Sequence, residues 1–173
     1  MKRSDVIPKA ARWLALLAAA AIPKTLPANA DETNRVDQIY IPVNKVAADL
    51  GLGDRLLPLR CARVEGQFEC LYTWSRPGMI SALGDEGTRQ LQSIAVYLPT
   101  TKQLPADVAN VVAMFLRAFS PQLDQSAMGK ALASLADGAA GPDRRGTVKF
   151  DAVSYALLGN DGRHVRLYVT LEE

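Results

Sequence analysis

The sequence predicts an α+β fold: a mostly antiparallel sheet of about six strands, with two or three helices packed on one face. Two observations support it. Short apolar runs are bounded by turns rich in glycine and aspartate, which is typical of antiparallel strands. Residues 105–138 instead have apolar residues at helical spacing. Because strands and helices are segregated along the chain, we expect the helices to cover one side of the sheet.

The first 30 residues have the pattern of a secretory signal peptide. A basic start precedes Trp13–Ile22, an apolar run of 10 residues, whereas a membrane-spanning helix needs about 20. Small residues at Ala28 and Ala30 predict cleavage before Asp31. The alternatives are a membrane anchor, for which the run is too short, and a buried helix. We expect residues 31–173 to be a single periplasmic or secreted domain without a transmembrane segment.

Charge argues against nucleic acid as a partner. The whole chain has 20 basic and 18 acidic side chains, and residues 1–30 hold five of the basic and one of the acidic ones. Residues 31–173 therefore carry 15 basic and 17 acidic side chains, a net charge of −2. The bulk positive charge that attracts nucleic acid is absent from this part of the chain.

The first predicted element after the leader is a short helix. Val43, Val46, Ala47 and Leu50 recur at helical spacing, and Gly51 follows them. A glycine directly after a periodic segment is a typical end of a helix. Two residues further on, Gly53 is the other candidate for the end of the helix.

Both cysteines of the chain lie in one predicted hairpin. Leu59–Val64 and Gln67–Thr73 are interpreted as strands around a two-residue turn, Glu65-Gly66, in which glycine supplies a positive φ. In that register Cys61 lies opposite Cys70 as a pair without ladder hydrogen bonds, where Cα atoms are about 4.5 Å apart. This separation permits a disulfide, and an oxidising compartment would allow it to form.

The same register predicts that Leu59 pairs with Tyr72, and that Leu59, Phe68 and Tyr72 share the cysteine face, which we interpret as the core side. A redox or metal role for the cysteines is the alternative. Redox pairs favour the spacing C-x-x-C, and a zinc site needs about four ligands. The chain has two cysteines and one histidine. The prediction is a structural disulfide, with no metal site and no cofactor.

Two more strands and two helices follow. Met79–Leu83 and Leu91–Leu98 are predicted strands around the turn-rich Gly84–Gly87. Pro105 suits the first position of a helix that Pro121 ends, and a second helix begins at Asp124 or Ser126 and ends at Gly138. The apolar stripes of these helices are Val108, Val111, Val112, Phe115 and Phe119, then Met128, Leu132 and Leu135. Both stripes are expected to pack on the sheet.

The C-terminus is predicted to be a hairpin of Val148–Leu158 and Arg163–Leu171 around a type I′ turn at Asp161-Gly162. One face is apolar and is expected to be buried; its residues are Phe150, Ala152, Ala156, Leu158, Val165, Leu167, Val169 and Leu171. The other face pairs Tyr155 with Tyr168 and Leu157 with Arg166, and has His164 near the turn. Tyrosine and arginine often anchor partners. The candidate binding face is therefore Tyr155, His164, Arg166 and Tyr168, although such cross-strand pairs can also serve only to stabilise a sheet.

A small basic cluster is the second candidate binding site. Arg144, Arg145 and Lys149 lie in and after the loop at residues 141–146. Three cations at this spacing could hold an anionic group. The alternative is a solvated loop whose charges have no ligand.

Two classes of function remain open. The first is a non-catalytic binding or accessory protein that acts on another envelope or secreted macromolecule. The alternative is a small periplasmic hydrolase using carboxylates or His164, the single histidine of the chain. No nucleophile-elbow, phosphate-loop, dinucleotide-binding or EF-hand motif occurs in the sequence. The scarcity of catalytic side chains favours the binding protein.

Overall fold

The structure, a computed structural model, describes residues 34–99, 104–159 and 164–172. The predicted signal peptide and its cleavage site at Ala28, Ala30 and Asp31 lie outside these ranges. The described residues form an α+β fold of three helices and one antiparallel sheet, which confirms the predicted class. None of these helices is both long and apolar enough to cross a membrane.

The helices are α1 (Tyr40–Asp49), α2 (Leu104–Phe119) and α3 (Gln125–Ala140). The strands are β1 (Leu56–Val64), β2 (Gln67–Trp74), β3 (Met79–Asp85), β4 (Leu91–Pro99), β5 (Arg145–Phe150), β6 (Val153–Leu158) and β7 (His164–Leu171). Their order in the sheet is β1-β2-β3-β4-β7-β6-β5, and every neighbouring pair is antiparallel. Strands β1 and β5 are therefore the two edges of the described sheet.

The sheet has seven strands, one more than predicted. The segment predicted as one strand, Val148–Leu158, is divided into β5 and β6 by a tight turn at Asp151 and Ala152. Asp151 has φ 50°, a left-handed conformation that aspartate adopts more readily than most residues. Phe150 and Val153 flank the turn and pair with each other.

Helix α2 lies at the centre of the helical layer. It contacts α1, α3 and strand β7. The predicted stripe from Val108 to Phe119 is buried, and so are four residues between its members: Ala113, Met114, Leu116 and Ala118. A helix that is apolar nearly all round is buried nearly all round, so α1 and α3 shield the sides of α2 that do not face the sheet.

Helix α1 is tied to the start of β1. It ends in a Schellman motif, in which Leu52 N–H donates to Ala47 O and Gly51, at φ 68°, donates to Ala48 O. The Asn44 side chain accepts a hydrogen bond from Leu56 N–H at 2.6 Å and donates one to Leu56 O at 2.9 Å. The amide thus takes the place of a neighbouring strand at this one residue of the sheet edge.

The cysteine hairpin forms with the predicted turn. Glu65 has φ 49° and Gly66 has φ 82°, the pair of positive values that a type I′ turn requires. Cys61 lies opposite Cys70, and the two form a disulfide with Cα atoms 4.1 Å apart. Closing a loop of about ten residues contributes about 2.7 kcal/mol through the entropy of the unfolded chain.

The predicted position of Leu59 is wrong. Tyr72 pairs with Pro58, because a β-bulge shifts the register between Pro58 and Arg60. Leu59 lies in this bulge and is 64% exposed, whereas Tyr72 is 1% exposed. Proline cannot donate a ladder hydrogen bond, and it is tolerated in a sheet at bulges and edges.

The predicted register of the C-terminal hairpin is also wrong, by one residue. Tyr155 pairs with Val169, and Tyr168 pairs with Ala156. A slip of one residue exchanges the two faces of a strand. Tyr155 and Leu157 therefore point toward the helices, while Ala156 and Leu158 lie on the opposite face. The Asp161-Gly162 turn that led to the predicted register lies outside the described residues.

Candidate functional site

The sheet has one face under the helices and one face without them, which we call the open face. By strand pairing, the open face includes Tyr97 on β4 and its neighbours Arg166 and Tyr168 on β7. These three side chains are half-buried although no helix lies over them. They shield one another across the strands, as large cross-strand neighbours do.

Tyr155 does not belong to this face, which corrects the predicted binding face. It is 1% exposed, and its hydroxyl lies 2.8 Å from Ser120 Oγ, just after α2. Burial raises the pKa of Tyr155 above its ordinary value, and the hydrogen bond with Ser120 opposes that shift only in part. Tyr155 is thus a neutral core residue that joins β6 to the helical layer.

Tyr97 lies on the open face, although the predicted binding face did not include it. Burial first, and then a hydrogen bond with Tyr168, raise the pKa of Tyr97 above its ordinary value, while the charge of Arg166 lowers it. Glu69 is near enough to contribute, and its carboxylate accepts a hydrogen bond from Ser81 Oγ at 2.8 Å. The sequence pattern of β4 could have predicted this position. Along that strand, apolar residues alternate with Ser93, Ala95 and Tyr97, which indicates that these three share the face away from the core.

The open face contains a groove of about 690 Å³ across β5, β6 and β7. Small-ligand sites commonly have about 300–1,000 Å³. The groove is lined by Arg145, Thr147, Val148, Lys149, Ser154, Tyr155, Ala156, Leu158, Tyr168 and Thr170. It brings together Tyr168 from the first candidate site and Arg145 and Lys149 from the second. Part of the first candidate site and two residues of the second therefore share one surface.

The two cations of the groove differ in their surroundings. Lys149 forms an ion pair with Glu172, which also accepts a hydrogen bond from Ser154 Oγ at 3.1 Å. The Lys149 hydrogen bond is the main reason that the pKa of Glu172 is lowered. Arg145 forms no ion pair with any residue in the described ranges. An anionic ligand would therefore meet its strongest uncompensated charge at Arg145.

Two predicted site residues lie beside the groove. Arg144 precedes β5 with φ 50°, and its backbone carbonyl accepts a hydrogen bond from Gly159 N–H at 2.7 Å. His164 is exposed at the start of β7, opposite Pro99. Neither residue is among those that line the groove, so the structure places both at a distance from its centre.

A second, smaller depression of about 230 Å³ holds carboxylates. Both oxygens of Asp54 accept hydrogen bonds from Arg76, through Nε at 2.7 Å and through Nη2. Asp107 lies 3.8 Å from the same guanidinium. A two-point hydrogen bond between arginine and a carboxylate is among the strong ones in proteins. The Asp54–Arg76 pair therefore joins the segment before β1 to the loop between β2 and β3.

In the described ranges, no group of three or more His, Cys, Asp and Glu side chains is arranged to hold a metal ion. No protein-family model matches this chain, and no significant similarity was found to a curated protein or to a solved structure.

Proposed function

We propose that this protein is exported and acts as a non-catalytic binding protein, whose ligand is another envelope or secreted macromolecule held in the groove of the open face. The groove itself is the observation that carries the proposal. It combines an aromatic ring at Tyr168, hydroxyl groups at Thr147, Ser154 and Thr170, and a cation at Arg145. Aromatic and arginine side chains are the usual anchors of protein interfaces.

The composition of the groove favours binding over hydrolysis. No aspartate, glutamate or histidine is among its lining residues, and these are the side chains that most often act as general acids and bases. The amine of Lys149, which also lines the groove, is held in an ion pair with Glu172. The carboxylates of the smaller depression are bound by Arg76. The alternative of a hydrolase using carboxylates or His164 therefore has less support than a binding role.

Export is supported by the N-terminal pattern and by the disulfide, which persists mainly in oxidising compartments. Protein recovered from the cell envelope is expected to begin at Asp31 and to contain no free thiol. Intact mass spectrometry after thiol labelling in denaturant measures both properties in one experiment. Recovery of only the 173-residue chain, or labelling of Cys61 and Cys70, would contradict the proposal.

Site-specific photo-crosslinking tests the groove. A photoreactive residue at Thr147, inside the groove, is expected to crosslink a ligand in the envelope. The same residue at Lys130, exposed on α3 at the opposite side of the molecule, is expected to capture about tenfold less. Mass spectrometry of the crosslinked product then identifies the ligand.

Two further variants, each made in the protein that has the photoreactive residue at position 147, test which groove residues bind the ligand. Tyr168→Ala with Arg145→Ala removes the anchors and is expected to reduce the yield about tenfold, since anchor residues commonly contribute 2 kcal/mol or more. Ser120→Ala removes only the buried hydroxyl that bonds Tyr155 and is expected to leave the yield unchanged. Circular dichroism confirms that each variant is folded. An unchanged yield from the folded double variant would show that the groove is not the binding site.

A further inference from the structure

Strand β1 is an edge strand, and beyond Leu56 none of the described residues covers it on either face. From Leu57 to Val64 every residue is exposed. Three of the five large apolar side chains that the described structure exposes are on this strand: Leu57 at 56%, Leu59 at 64% and Val64 at 43%. Exposed apolar residues concentrated on an edge strand are unusual, because edges offer a template for a further strand.

The backbone of β1 is available for such pairing. Val64 and Gln67 flank the two-residue turn and form a hydrogen-bonded pair, and such pairs alternate along an antiparallel ladder. The N–H and C=O groups of Cys61 and Arg63 are therefore directed away from β2. Within the described residues, no backbone group outside the ladder bonds to them. At Leu56, by contrast, Asn44 occupies the equivalent groups.

The charge of the strand defines the kind of segment that fits. Strand β1 contains Arg60 and Arg63 and follows Arg55, and it has no acidic residue. The ion pair of Arg63 with Glu86, at 3.5 Å, is exposed and so contributes little stability. Both arginines can therefore turn toward a ligand. A second copy of β1 would be a poor occupant, because it would bring a second Arg60 and a second Arg63 to the same edge without an acidic residue on either strand.

The disulfide prepares the edge for binding. Burial contributes little to the position of β1, since only Leu56 of this strand is buried. The Cys61–Cys70 bond attaches the exposed stretch to β2, where Cys70 is fully buried. A strand that is already ordered loses little conformational entropy when a partner adds to it.

From these observations we infer that β1 is a second binding site, separate from the groove, which takes an extended acidic polypeptide segment by strand addition. The segment pairs with the outward groups of Cys61 and Arg63. Arg60 pairs with Leu71 and Arg63 pairs with Phe68, so the two arginines lie on opposite faces of the sheet. The segment therefore has an acidic side chain on each of its faces, and its apolar side chains cover Leu57 and Val64. Strand addition obtains affinity from the backbone and specificity from alternate side chains.

Peptide binding to the oxidised full chain tests this inference. The probe is a capped peptide of about eight residues that alternates pairs of Glu with pairs of Val, so that both faces of the added strand have acidic side chains. The matched probe has Lys in place of Glu. A third probe has the acidic sequence with alternate backbone amides methylated, which prevents strand pairing. We expect only the first probe to bind in fluorescence anisotropy. Its binding is expected to slow hydrogen exchange at the Cys61 and Arg63 amides about tenfold.

Charge reversal inside and outside the proposed site supplies the control. Arg60→Glu with Arg63→Glu is expected to weaken binding of the acidic probe about tenfold and to favour the Lys-Val probe. Lys130→Glu, exposed on α3 and outside both binding sites, is expected to change neither affinity. Equal binding of the methylated probe, or protection at β5 instead of β1, would overturn the inference. It would also fail if the Cys61 and Arg63 amides were already protected without peptide, by dimerisation or by the N-terminal segment.

Discussion

Replacing Gly146 with alanine is expected to lower the free energy of unfolding by about 3 kcal/mol or more, at the upper end of what overpacking costs. A Cβ atom at this position would meet the backbone of Leu135, with its Cα only 2.6 Å away. A Cβ at Gly138 would meet the backbone of β5, with Arg145 O at 2.8 Å. Helix and strand are in backbone contact here, so no side-chain rotation can relieve the clash.

Helix α3 contains its own control. Gly129 lies in the same helix, and a Cβ there would have no atom within 4 Å. Gly129→Ala is expected to stabilise the protein by about 0.5–1 kcal/mol, because glycine is a poor helix former. Urea denaturation measures both effects. Equal stability of the Gly146→Ala and Gly129→Ala variants would contradict the packing of α3 on β5.

This contact also matters for the groove. Gly146 stands between Arg145 and Thr147, both of which line it. The close contact between α3 and β5 therefore determines where Arg145 lies in the groove. Gly138→Ala is expected to reduce photo-crosslinking by the photoreactive residue at position 147, even under conditions in which the variant remains folded.

Arg76→Ala is expected to destabilise the protein by about 3 kcal/mol, near the lower limit measured when one partner of a buried ion pair is removed. Asp54 is 8% exposed, and without the guanidinium its carboxylate loses both hydrogen bonds. Arg76 also lies over the Trp74 ring, with its guanidinium carbon 5.4 Å from the ring centroid. The substitution therefore removes a cation–π contact as well.

Arg63→Ala is the matched control for this pair. Arg63 and Glu86 are 74% and 39% exposed in their side chains, so this substitution is expected to cost less than 1 kcal/mol. The double variant Arg76→Ala with Asp54→Ala is expected to be more stable than Arg76→Ala alone, because no unpaired carboxylate remains. Thermal and urea unfolding of the three variants measure these differences. If Arg76→Ala and Arg63→Ala lowered the free energy of unfolding equally, the ion pair between Arg76 and Asp54 would not stabilise the fold.

Local patterns predicted the elements that depend on neighbouring residues. The Glu65-Gly66 turn sets the pairing of the strands on either side, so the Cys61–Cys70 bond followed from counting residues outward. Helix α3 begins at Asp124, one of its two predicted caps, whose side chain accepts a hydrogen bond from Ala127 N–H at 2.7 Å. The α+β class followed from the segregation of strands and helices along the chain.

The errors occurred where two local signals competed and tertiary burial decided between them. Asp161-Gly162 favoured a register that buries Ala156 and Leu158. The folded sheet instead buries Tyr155 and Leu157 against the helices, next to Ser120. Tyr155 and Leu157 together remove more apolar surface from water than Ala156 and Leu158 would, and burial on this scale favours the observed register.

The cysteine pairing, the segregated helices and the residue types of the two candidate sites can be derived from the sequence. Three results require the folded chain: Arg145, Lys149 and Tyr168 share one groove, Tyr155 is a core residue, and β1 is an edge. They require it because strand order and sheet face depend on contacts between segments distant in the chain. A turn or a helix cap needs only residues a few positions apart, whereas a groove exists only after β5, β6 and β7 have been placed side by side.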